Sequence, residues 1–443
     1  MRLKALLVAL AVASAALAPA SHASTPRLGL GDDLAFLNSQ EQARGSAFVV
    51  ARRNGARYVR VTVDWSRVAP AGAAKPAGFD AADPESPGYN WGSIEDAVRS
   101  AAARKLKVVL TIVRAPAWAE GPGRPAGAPP GSWEPDPGEL ASFVRAAARR
   151  FSGFFPDPKD SGDGLTAPGA SLAHVRYWQI WSEPNGGATL RGGDVVERYR
   201  AMLNEAAKGL KAVDPDNVVI AGGTSARAGA GIAPLVFWRA LLRGSARFDV
   251  AAHDPVTGRN PAARLGRNDL GVATLGRLRR LLGRRKPLWL TRLAWDSAPP
   301  ATTGISPFSQ ARFLVDALYR ADRAGAAVVI WDGLQDRVSY LTGFPDIRSG
   351  LYLGSVSDLR HDAPKPALRA YRFPFRAHPS GRRTRFWGLA PRAGRVSIQR
   401  RAGGPWRTVA RVRAGRSREF HGSVKRRHGR FRAAQGRDRS MPW

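Results

Sequence analysis

The chain has 443 residues, of which 44% are hydrophobic and 9% aromatic, so it can bury a large core and is not a disordered protein. It contains no cysteine, which excludes disulfide bonds and thiolate metal sites. Its formal net charge of +34 favours anionic partners, namely acidic polysaccharide, anionic envelope polymers or nucleic acid. An arginine-rich background composition on solvated surfaces is the alternative explanation of that charge.

The first 23 residues have the pattern of a secretory signal peptide. Arg2 and Lys4 precede an apolar stretch over residues 6–17, and small residues follow at Ser21-His22-Ala23. We therefore expect cleavage after Ala23 and a secreted protein, extracellular or associated with the cell wall, without a transmembrane segment after signal removal. Export without disulfides indicates a bacterial source. Retention of this segment as an N-terminal anchor is the alternative.

Short β-branched runs alternate with longer amphipathic stretches, which is the pattern of βα units. The predicted strands are Leu28–Leu30, Tyr58–Val63, Val108–Val113, Trp178–Trp181, Val218–Ala221, Phe248–His253, Leu288–Arg292 and Val328–Trp331. The predicted helices lie near 39–54, 93–105, 137–152, 194–213, 232–243, 268–283, 308–324 and 364–371. Eight units in this order predict a closed (β/α)₈ barrel, the TIM-barrel fold, over residues 24–375.

A second, smaller domain is predicted over residues 380–443. Short alternating segments such as 395–399 and 408–412 are separated by glycine-containing turns, which is typical of an antiparallel β sandwich. The segment is dense in arginine and nearly lacks acidic residues. It is a candidate for binding an anionic cell-envelope polymer, although an exposed polar sheet face explains the pattern as well.

The sharpest functional signal is the segment Trp178-Gln179-Ile180-Trp181-Ser182-Glu183-Pro184-Asn185, an apolar strand that ends in a carboxylate and a turn. The carboxyl ends of the strands carry the catalytic groups of a (β/α)₈ barrel. Glu183 is therefore the first candidate for acid–base chemistry. A helix-capping or turn carboxylate is the structural alternative.

This segment resembles the W-N-E-P-N motif of clan A glycoside hydrolases, the barrel enzymes related to cellulases and β-xylosidases. Other positions resemble the same clan. They are Arg60 in the second strand, Trp65 after it, Trp118 within Ala115-Pro116-Ala117-Trp118-Ala119, the segment His253-Asp254-Pro255, which resembles the clan's sixth-strand His-Pro pair, and Trp331 in the eighth strand. The resemblance implies hydrolysis of a β-linked polysaccharide or oligosaccharide. It also implies that Glu183 is the general acid/base and that the sugar is bound by Arg60, Ser182, Asn185, His253 and Trp331.

The seventh strand departs from the clan at its functional residue. Its sequence Leu290-Thr291-Arg292-Leu293-Ala294-Trp295 resembles the family's T-E-x-G-W pattern with Arg292 at the position of the nucleophile. A guanidinium stays protonated and has no lone pair, so it cannot attack an anomeric carbon. Its charge also favours the ionised form of Glu183, which is the wrong state for a general acid.

A second departure is Ser182, which replaces the clan's asparagine that donates to the sugar 2-hydroxyl. The shorter serine side chain has less reach toward that oxygen, so a transition-state hydrogen bond is weakened. Asp254, Asp296 and Asp332 are alternatives for a relocated base. An inverting mechanism requires only two carboxyl groups about 6.5–9.5 Å apart with water between them.

Several tryptophans are predicted at or just after strand ends, where flat rings can stack on sugar faces. They are Trp65, Trp118, Trp181, Trp295 and Trp331. Each alone is as often a core residue, but five around one rim favour a carbohydrate ligand. Trp91, Trp133 and Trp238 lack this placement. His253 is expected to bind a sugar or orient a carboxylate, with a buried, hydrogen-bonded histidine as the alternative.

No histidine and carboxylate cluster has metal-ligand spacing, and no glycine-rich loop follows a strand as a phosphate cradle requires, so no metal or cofactor is predicted. The sequence predicts a secreted glycoside hydrolase-like protein that hydrolyses O-glycosidic bonds if it is active. The alternative is a carbohydrate-binding pseudoenzyme of the cell envelope, in which turnover is lost at Arg292. Nucleic-acid binding through charge alone is the least favoured function.

Overall fold

The computed structural model describes residues 25–159, 169–299, 304–337, 348–354, 359–425 and 428–443. The expected signal peptide lies outside these ranges. None of the helices within them is long and apolar enough to cross a membrane.

Eight parallel strands close into a barrel in chain order. They are β1 (Arg27–Gly31), β2 (Tyr58–Asp64), β3 (Lys107–Val113), β4 (Tyr177–Ile180), β5 (Val218–Ser225), β6 (Val250–Asp254), β7 (Leu288–Leu293) and β8 (Ala326–Asp332). The helices around them are α1 (Asp33–Phe36), α2 (Glu41–Arg53), α3 (Trp65–Val68), α4 (Gly92–Ala102), α5 (Pro137–Arg150), α6 (Val195–Val213), α7 (Pro234–Arg243), α8 (Leu275–Leu282), α9 (Pro307–Arg323) and α10 (Pro366–Arg372). The predicted barrel is confirmed.

Local sequence signals explain where the long helices begin. Asp136, Asp194 and Ser306 precede α5, α6 and α9, and their side chains accept backbone N–H groups of the first turn. These caps satisfy donors that have no partner within the helix. The helices then bury one apolar face against the barrel sheet, which gives the main hydrophobic core.

The interior of the barrel changes from apolar to polar along its axis. At the amino-terminal end Tyr58, Tyr177 and Trp289 pack together with ring centroids 5.2 to 5.4 Å apart. Nearer the carboxyl-terminal end the inward side chains include Thr111 and Gln179, which are fully buried and hydrogen-bonded. The closed apolar end supports the fold, and the polar end forms the mouth where chemistry is possible.

The predicted antiparallel β domain is also confirmed. Its strands are β9 (Phe375–Ser380), β10 (Arg383–Leu389), β11 (Gly394–Arg401), β12 (Arg407–Ala414), β13 (Glu419–Lys425), β14 (Arg430–Gln435) and β15 (Asp438–Arg439). They form a sheet of order β13-β10-β9 and a sheet of order β12-β11-β14-β15, with an apolar core between them. The first strand begins at Phe375, within the segment that the sequence assigned to the end of the barrel domain.

The β domain packs directly on α9 of the barrel. Arg376 Nε lies 2.8 Å from Asp316 Oδ1, and the rings of Tyr319 and Trp387 have centroids 5.6 Å apart. These contacts join the two domains through both charge and apolar packing.

Candidate active site

Glu183 lies three residues beyond β4, at the carboxyl-terminal mouth of the barrel. The turn that carries it is unusual, because Trp181 and Glu183 have φ of 68° and 50°, a region that non-glycine residues seldom occupy. The Glu183 N–H donates to the Gly223 carbonyl at 3.0 Å, which fixes this turn to the neighbouring strand β5. Such backbone conformations are found most often at functional sites.

Arg292 is held in the same mouth by an irregularity in β7. The register between β7 and β8 shifts between Leu290 and Leu293, and a bulge of this kind changes where the side chains point. The Arg292 Nη1 lies 3.4 Å from Glu183 Oε1, and its Nε donates to Asp332 Oδ2 at 2.7 Å. The guanidinium therefore bridges two carboxylates that belong to β8 and to the turn after β4.

The charge of Asp332, followed by that of Glu183, raises the pKa of Arg292 above its ordinary value, although burial opposes this. Arg292 is consequently protonated at every relevant pH. It is 42% exposed, Glu183 is 29% exposed and Asp332 is 25% exposed, so all three groups can be reached from solvent.

Asp254, at the end of β6, is a buried carboxyl below this cluster. The Thr291 hydroxyl donates to its Oδ1 at 2.7 Å, and its Oδ2 has no hydrogen-bond partner among the described residues. Burial raises the pKa of Asp254 to about 7, with a further increase from the charge of Glu183, whereas Arg60 opposes the shift. Burial therefore favours the protonated form of Asp254 up to a higher pH than is usual for a carboxyl group.

Arg60 forms part of the wall of the mouth. It is only 8% exposed, and its Nε donates to Thr111 Oγ1 at 3.1 Å. The Thr111 hydroxyl lies 3.4 Å from Gln179 Oε1, which extends the polar layer toward β4. Arg60 supplies positive charge that acts on the buried Asp254 and is mostly shielded from a ligand.

Most of the predicted aromatic rim lies in the core. Trp65, Trp181, Trp295 and Trp331 are at most 2% exposed. The indole N–H groups of the last three donate to the carbonyls of Thr189, Arg259 and Ser349. Trp118 is half-buried and lies edge-on to Trp65. Because their rings are covered, the four buried tryptophans offer no stacking face to a sugar in this structure.

Two further predicted ligand-binding residues also have their polar atoms occupied. His253 is fully buried, with Nδ1 2.9 Å from Thr224 Oγ1 and Nε2 3.0 Å from the Leu270 carbonyl. Burial lowers the pKa of His253 to about 4, so its ring is neutral. The Asn185 amide bonds to Ser225 and to the Ile232 carbonyl. Both side chains therefore hold loops in place, while Ser182 beside Glu183 is half-buried.

The other two alternative carboxylates lie in different surroundings. Asp332 is paired with Arg292, as described above. Asp296 is exposed, and its charge acts on Asp336 and Lys365, a buried ion pair 2.8 Å apart. Asp296 therefore belongs to the neighbourhood of that pair, in the loop region that follows β8.

A groove of about 840 Å³ opens between the loops after β4 and β5. Its lining includes Trp133, Arg191, Asp194 and a glycine-rich stretch of backbone. Trp133 reaches the groove because its backbone pairs with Arg191. Trp133 could not be placed at the rim from local sequence patterns, since the bridge joins two loops that are far apart in the chain.

Among the described residues, no group of three or more histidine, aspartate or glutamate side chains is arranged to hold a metal ion. What the mouth does contain is an arginine between two accessible carboxylates, above a buried carboxyl group. This arrangement can bind polar ligands and hold protons, and it lacks a carboxylate at the position of the nucleophile.

Comparison with known proteins defines the class of fold. The sequence matches no protein-family model. No curated protein is similar to it in sequence. A family 39 glycoside hydrolase from the gut symbiont Bacteroides cellulosilyticus has a TM-score of 0.54 at 15% identity, over 91% of this chain and 82% of that chain.

Two other solved structures support the same class. A GH39 enzyme from Xanthomonas axonopodis pv. citri has a TM-score of 0.52 at 14% identity, covering 91% of this chain and 92% of that one. A GH30 endoxylanase from Clostridium papyrosolvens has a TM-score of 0.51 at 10% identity, covering 91% and 94%. The chain therefore has the fold of clan A glycoside hydrolases, as the sequence resemblance predicted.

Proposed function

We propose that this chain is a secreted carbohydrate-binding protein built on a glycoside hydrolase barrel, in which Arg292 prevents double-displacement hydrolysis. The observation that carries the proposal is the position of the Arg292 guanidinium, 3.4 Å from Glu183 and 2.7 Å from Asp332. Secretion is supported by the signal-peptide pattern of the first 23 residues.

The chemistry of retaining hydrolysis explains why this position matters. The reaction requires a carboxylate nucleophile about 5 to 5.5 Å from the acid/base, and it develops positive charge at the sugar ring. A protonated guanidinium at the nucleophile position provides no electron pair and repels that positive charge. Arg292 therefore opposes the attack that forms the glycosyl-enzyme intermediate.

Binding of a glycan requires fewer features than hydrolysis. Glu183 and Asp332 are accessible hydrogen-bond acceptors, and Arg292 is an accessible donor. The adjoining groove offers about 840 Å³ and the half-buried ring of Trp133. Sugar sites commonly combine a few placed polar groups with an aromatic surface. This combination favours an oligosaccharide or polysaccharide ligand.

One observation favours a second candidate, single-displacement hydrolysis with Asp254 as the proton donor. Asp254 Oδ2 has no hydrogen-bond partner in the described part of the chain, and the pKa of about 7 suits an acid at neutral pH. Glu183 or Asp332 would then activate water. Asp254 is only 1% exposed, so direct contact with a leaving oxygen would require the mouth to open. Binding without turnover is therefore the first candidate.

Sugar release from aryl β-glycosides and β-linked polysaccharides tests both functions. The mature chain is compared with Arg292→Glu, Arg292→Glu combined with Asp332→Asn, and each of these combined with Glu183→Gln. The Asp332→Asn change removes the repulsion that a new carboxylate at position 292 would meet. We expect no turnover by the natural chain, and turnover that depends on Glu183 after Arg292→Glu.

Binding of the same polysaccharides is measured in parallel. Glycan binding without release supports the proposal. Release by the natural chain that is lost in Asp254→Asn, and also in either Glu183→Gln or Asp332→Asn, would replace the proposal with single displacement. Absence of both binding and release across the panel would contradict a carbohydrate function.

A further inference from the structure

The outward face of the four-stranded sheet in the β domain carries a set of arginines, which we call the arginine face. Its members are Arg395 and Arg401 on β11, Arg411 and Arg413 on β12, and Arg430 and Arg432 on β14. The register pairs Arg395 with Arg413, and Arg401 with Arg430. Residues paired in this way lie on the same side of a sheet. The opposite side holds Val396, Ile398 and Phe431, which are buried in the domain core.

No acid balances this charge within the described part of the chain. None of the six arginines has a carboxylate oxygen within 4.0 Å of its guanidinium there. The two acids of the domain are engaged elsewhere. Asp438 Oδ1 lies 2.7 Å from Arg372 Nη2, and Glu419 Oε2 accepts a hydrogen bond from the Thr25 hydroxyl at 2.8 Å. Five of the six arginines are exposed to solvent, and Arg432 is half-buried.

Mutual repulsion is present in the folded protein. Burial, followed by the charges of Arg439, Arg369 and Arg401, lowers the pKa of Arg432. Arg369 belongs to α10, so the positive region continues from the sheet onto the barrel. A polyanion laid across this face would relieve the repulsion and gain charge-assisted hydrogen bonds.

The other groups on the face favour a hydroxyl-rich partner. Ser397 and Gln399 lie between Arg395 and Arg401 on the outward side of β11, and Thr408 is paired with Gln399. Successive outward residues of a strand are about 6.8 Å apart, so neutral polar groups stand close to the guanidinium groups. Such a surface can pair with carboxylates and donate to or accept from sugar hydroxyls.

The face lacks the features that nucleic acids and membranes use. The Trp406 ring is covered by Arg432, whose Cζ lies 4.3 Å from the ring centroid, and Arg401 lies at 6.0 Å. At least part of this ring is therefore occupied by guanidinium groups and is not open to stack on a base. The large exposed hydrophobic side chains found in the described residues all lie outside the β domain, so none there can insert into a lipid surface.

We propose that the arginine face binds a polysaccharide with a carboxylate in its repeating unit and thereby holds the protein on that polymer. Arginine suits this role because its planar fork donates two hydrogen bonds to one carboxylate. The site is separate from the barrel mouth, so binding here does not depend on hydrolysis or on the ligand of the mouth.

Affinity electrophoresis and titration with polygalacturonate test this surface in the mature full-length chain. The control polymer is the same polysaccharide with its carboxylates methyl-esterified, which removes its negative charge. The face variant replaces Arg395, Arg411 and Arg413 by glutamine. The control variant removes the same charge from the barrel exterior, where Arg243, Arg284 and Arg285 are exposed. Circular dichroism and melting temperature establish that both variants are folded.

We expect the face variant to bind polygalacturonate about tenfold more weakly, since each exposed charge contact contributes a factor of a few. The control variant should bind within about twofold of the natural chain, and the esterified polymer should bind none of the three proteins measurably. Binding should also weaken with added salt. Arg292→Glu should leave this binding unchanged, which separates it from the function of the mouth.

Three results would overturn the proposal. Equal weakening in the face and control variants would mean that net charge alone attracts the polymer. Tighter binding of duplex DNA through the same three arginines would make the partner a nucleic acid. Tighter binding of anionic phosphatidylglycerol vesicles than of polygalacturonate would make it a membrane surface.

Discussion

The Nε of Arg292 donates to Oδ2 of Asp332 at 2.7 Å, a shorter contact than the 3.4 Å between Arg292 Nη1 and Glu183 Oε1. Arg292 is therefore fixed chiefly by β8, and from there it reaches toward Glu183. Arg292, which occupies the position of the nucleophile, is thus held there by a specific ion pair with Asp332.

The ion pair between Arg292 and Asp332 should contribute little to the stability of the fold. Both side chains are partly exposed, at 42% and 25%, and such pairs contribute about 0.2–1 kcal/mol. A double-mutant cycle with Arg292→Gln and Asp332→Asn, followed by urea unfolding, should give a coupling energy in that range. A coupling above about 3 kcal/mol would assign the pair a structural role instead.

Asp254 should make the protein less stable as the pH rises. Its folded-state pKa of about 7 lies above the ordinary value of 3.8. Between these values the folded protein keeps a proton that the unfolded chain loses, so the free energy of unfolding falls as the pH rises from about 4 to about 7. The total effect is on the order of 4 kcal/mol and is constant above that range.

Melting temperatures of the natural chain and Asp254→Asn, measured from pH 4 to pH 8, test this expectation. The variant should gain stability relative to the natural chain as the pH rises. The neighbouring His253, with a pKa lowered to about 4, opposes the trend because it destabilises the fold as the pH falls below about 6.5. It is present in both proteins and cancels in the comparison. A difference that does not vary with pH would contradict the expectation.

The buried pair of Lys365 and Asp336 should show the cost of an uncompensated charge. Each side chain is 1% exposed, and their charged atoms are 2.8 Å apart. Lys365→Met leaves the buried Asp336 carboxylate without its partner and should lower the free energy of unfolding by about 3–5 kcal/mol. The double variant Lys365→Met with Asp336→Leu should be less destabilised than the single variant in urea unfolding. If the double variant is less stable than Lys365→Met, the packing around this pair contributes more to stability than the pairing of the two charges.

Alanine substitutions of Trp65 and Trp133 should have different effects, the first on stability and the second on glycan binding. Trp65 has no exposed surface and lies parallel to Phe143, with ring centroids 5.5 Å apart. Trp65→Ala should therefore lower the free energy of unfolding by about 3–5 kcal/mol.

Trp133→Ala, at the groove, should weaken glycan binding with a much smaller loss of stability, because the Trp133 ring is only half-buried. Thermal melting and titration of both variants with a polysaccharide that binds the natural chain provide the comparison. Unchanged glycan affinity in Trp133→Ala would exclude the groove from the binding site.

The sequence by itself determined the barrel, the β domain and the two residues that define the site. The barrel follows from eight alternating strand and helix patterns, because apolar periodicity is a local property of the chain. The positions of Glu183 and Arg292 follow from the same patterns, since each lies at the end of a predicted strand and strand ends converge at one mouth.

Only the tertiary structure decided which side chains are accessible. Trp65 and Trp331 lie at strand ends as predicted, yet Phe143 of α5 and Trp295 pack against their rings and bury them, while Trp133 reaches the groove through a bridge to Arg191. The raised pKa of Asp254 likewise depends on burial beneath groups from other strands. Exposure and electrostatic environment are set by packing between segments that are distant in sequence, and no local pattern encodes them.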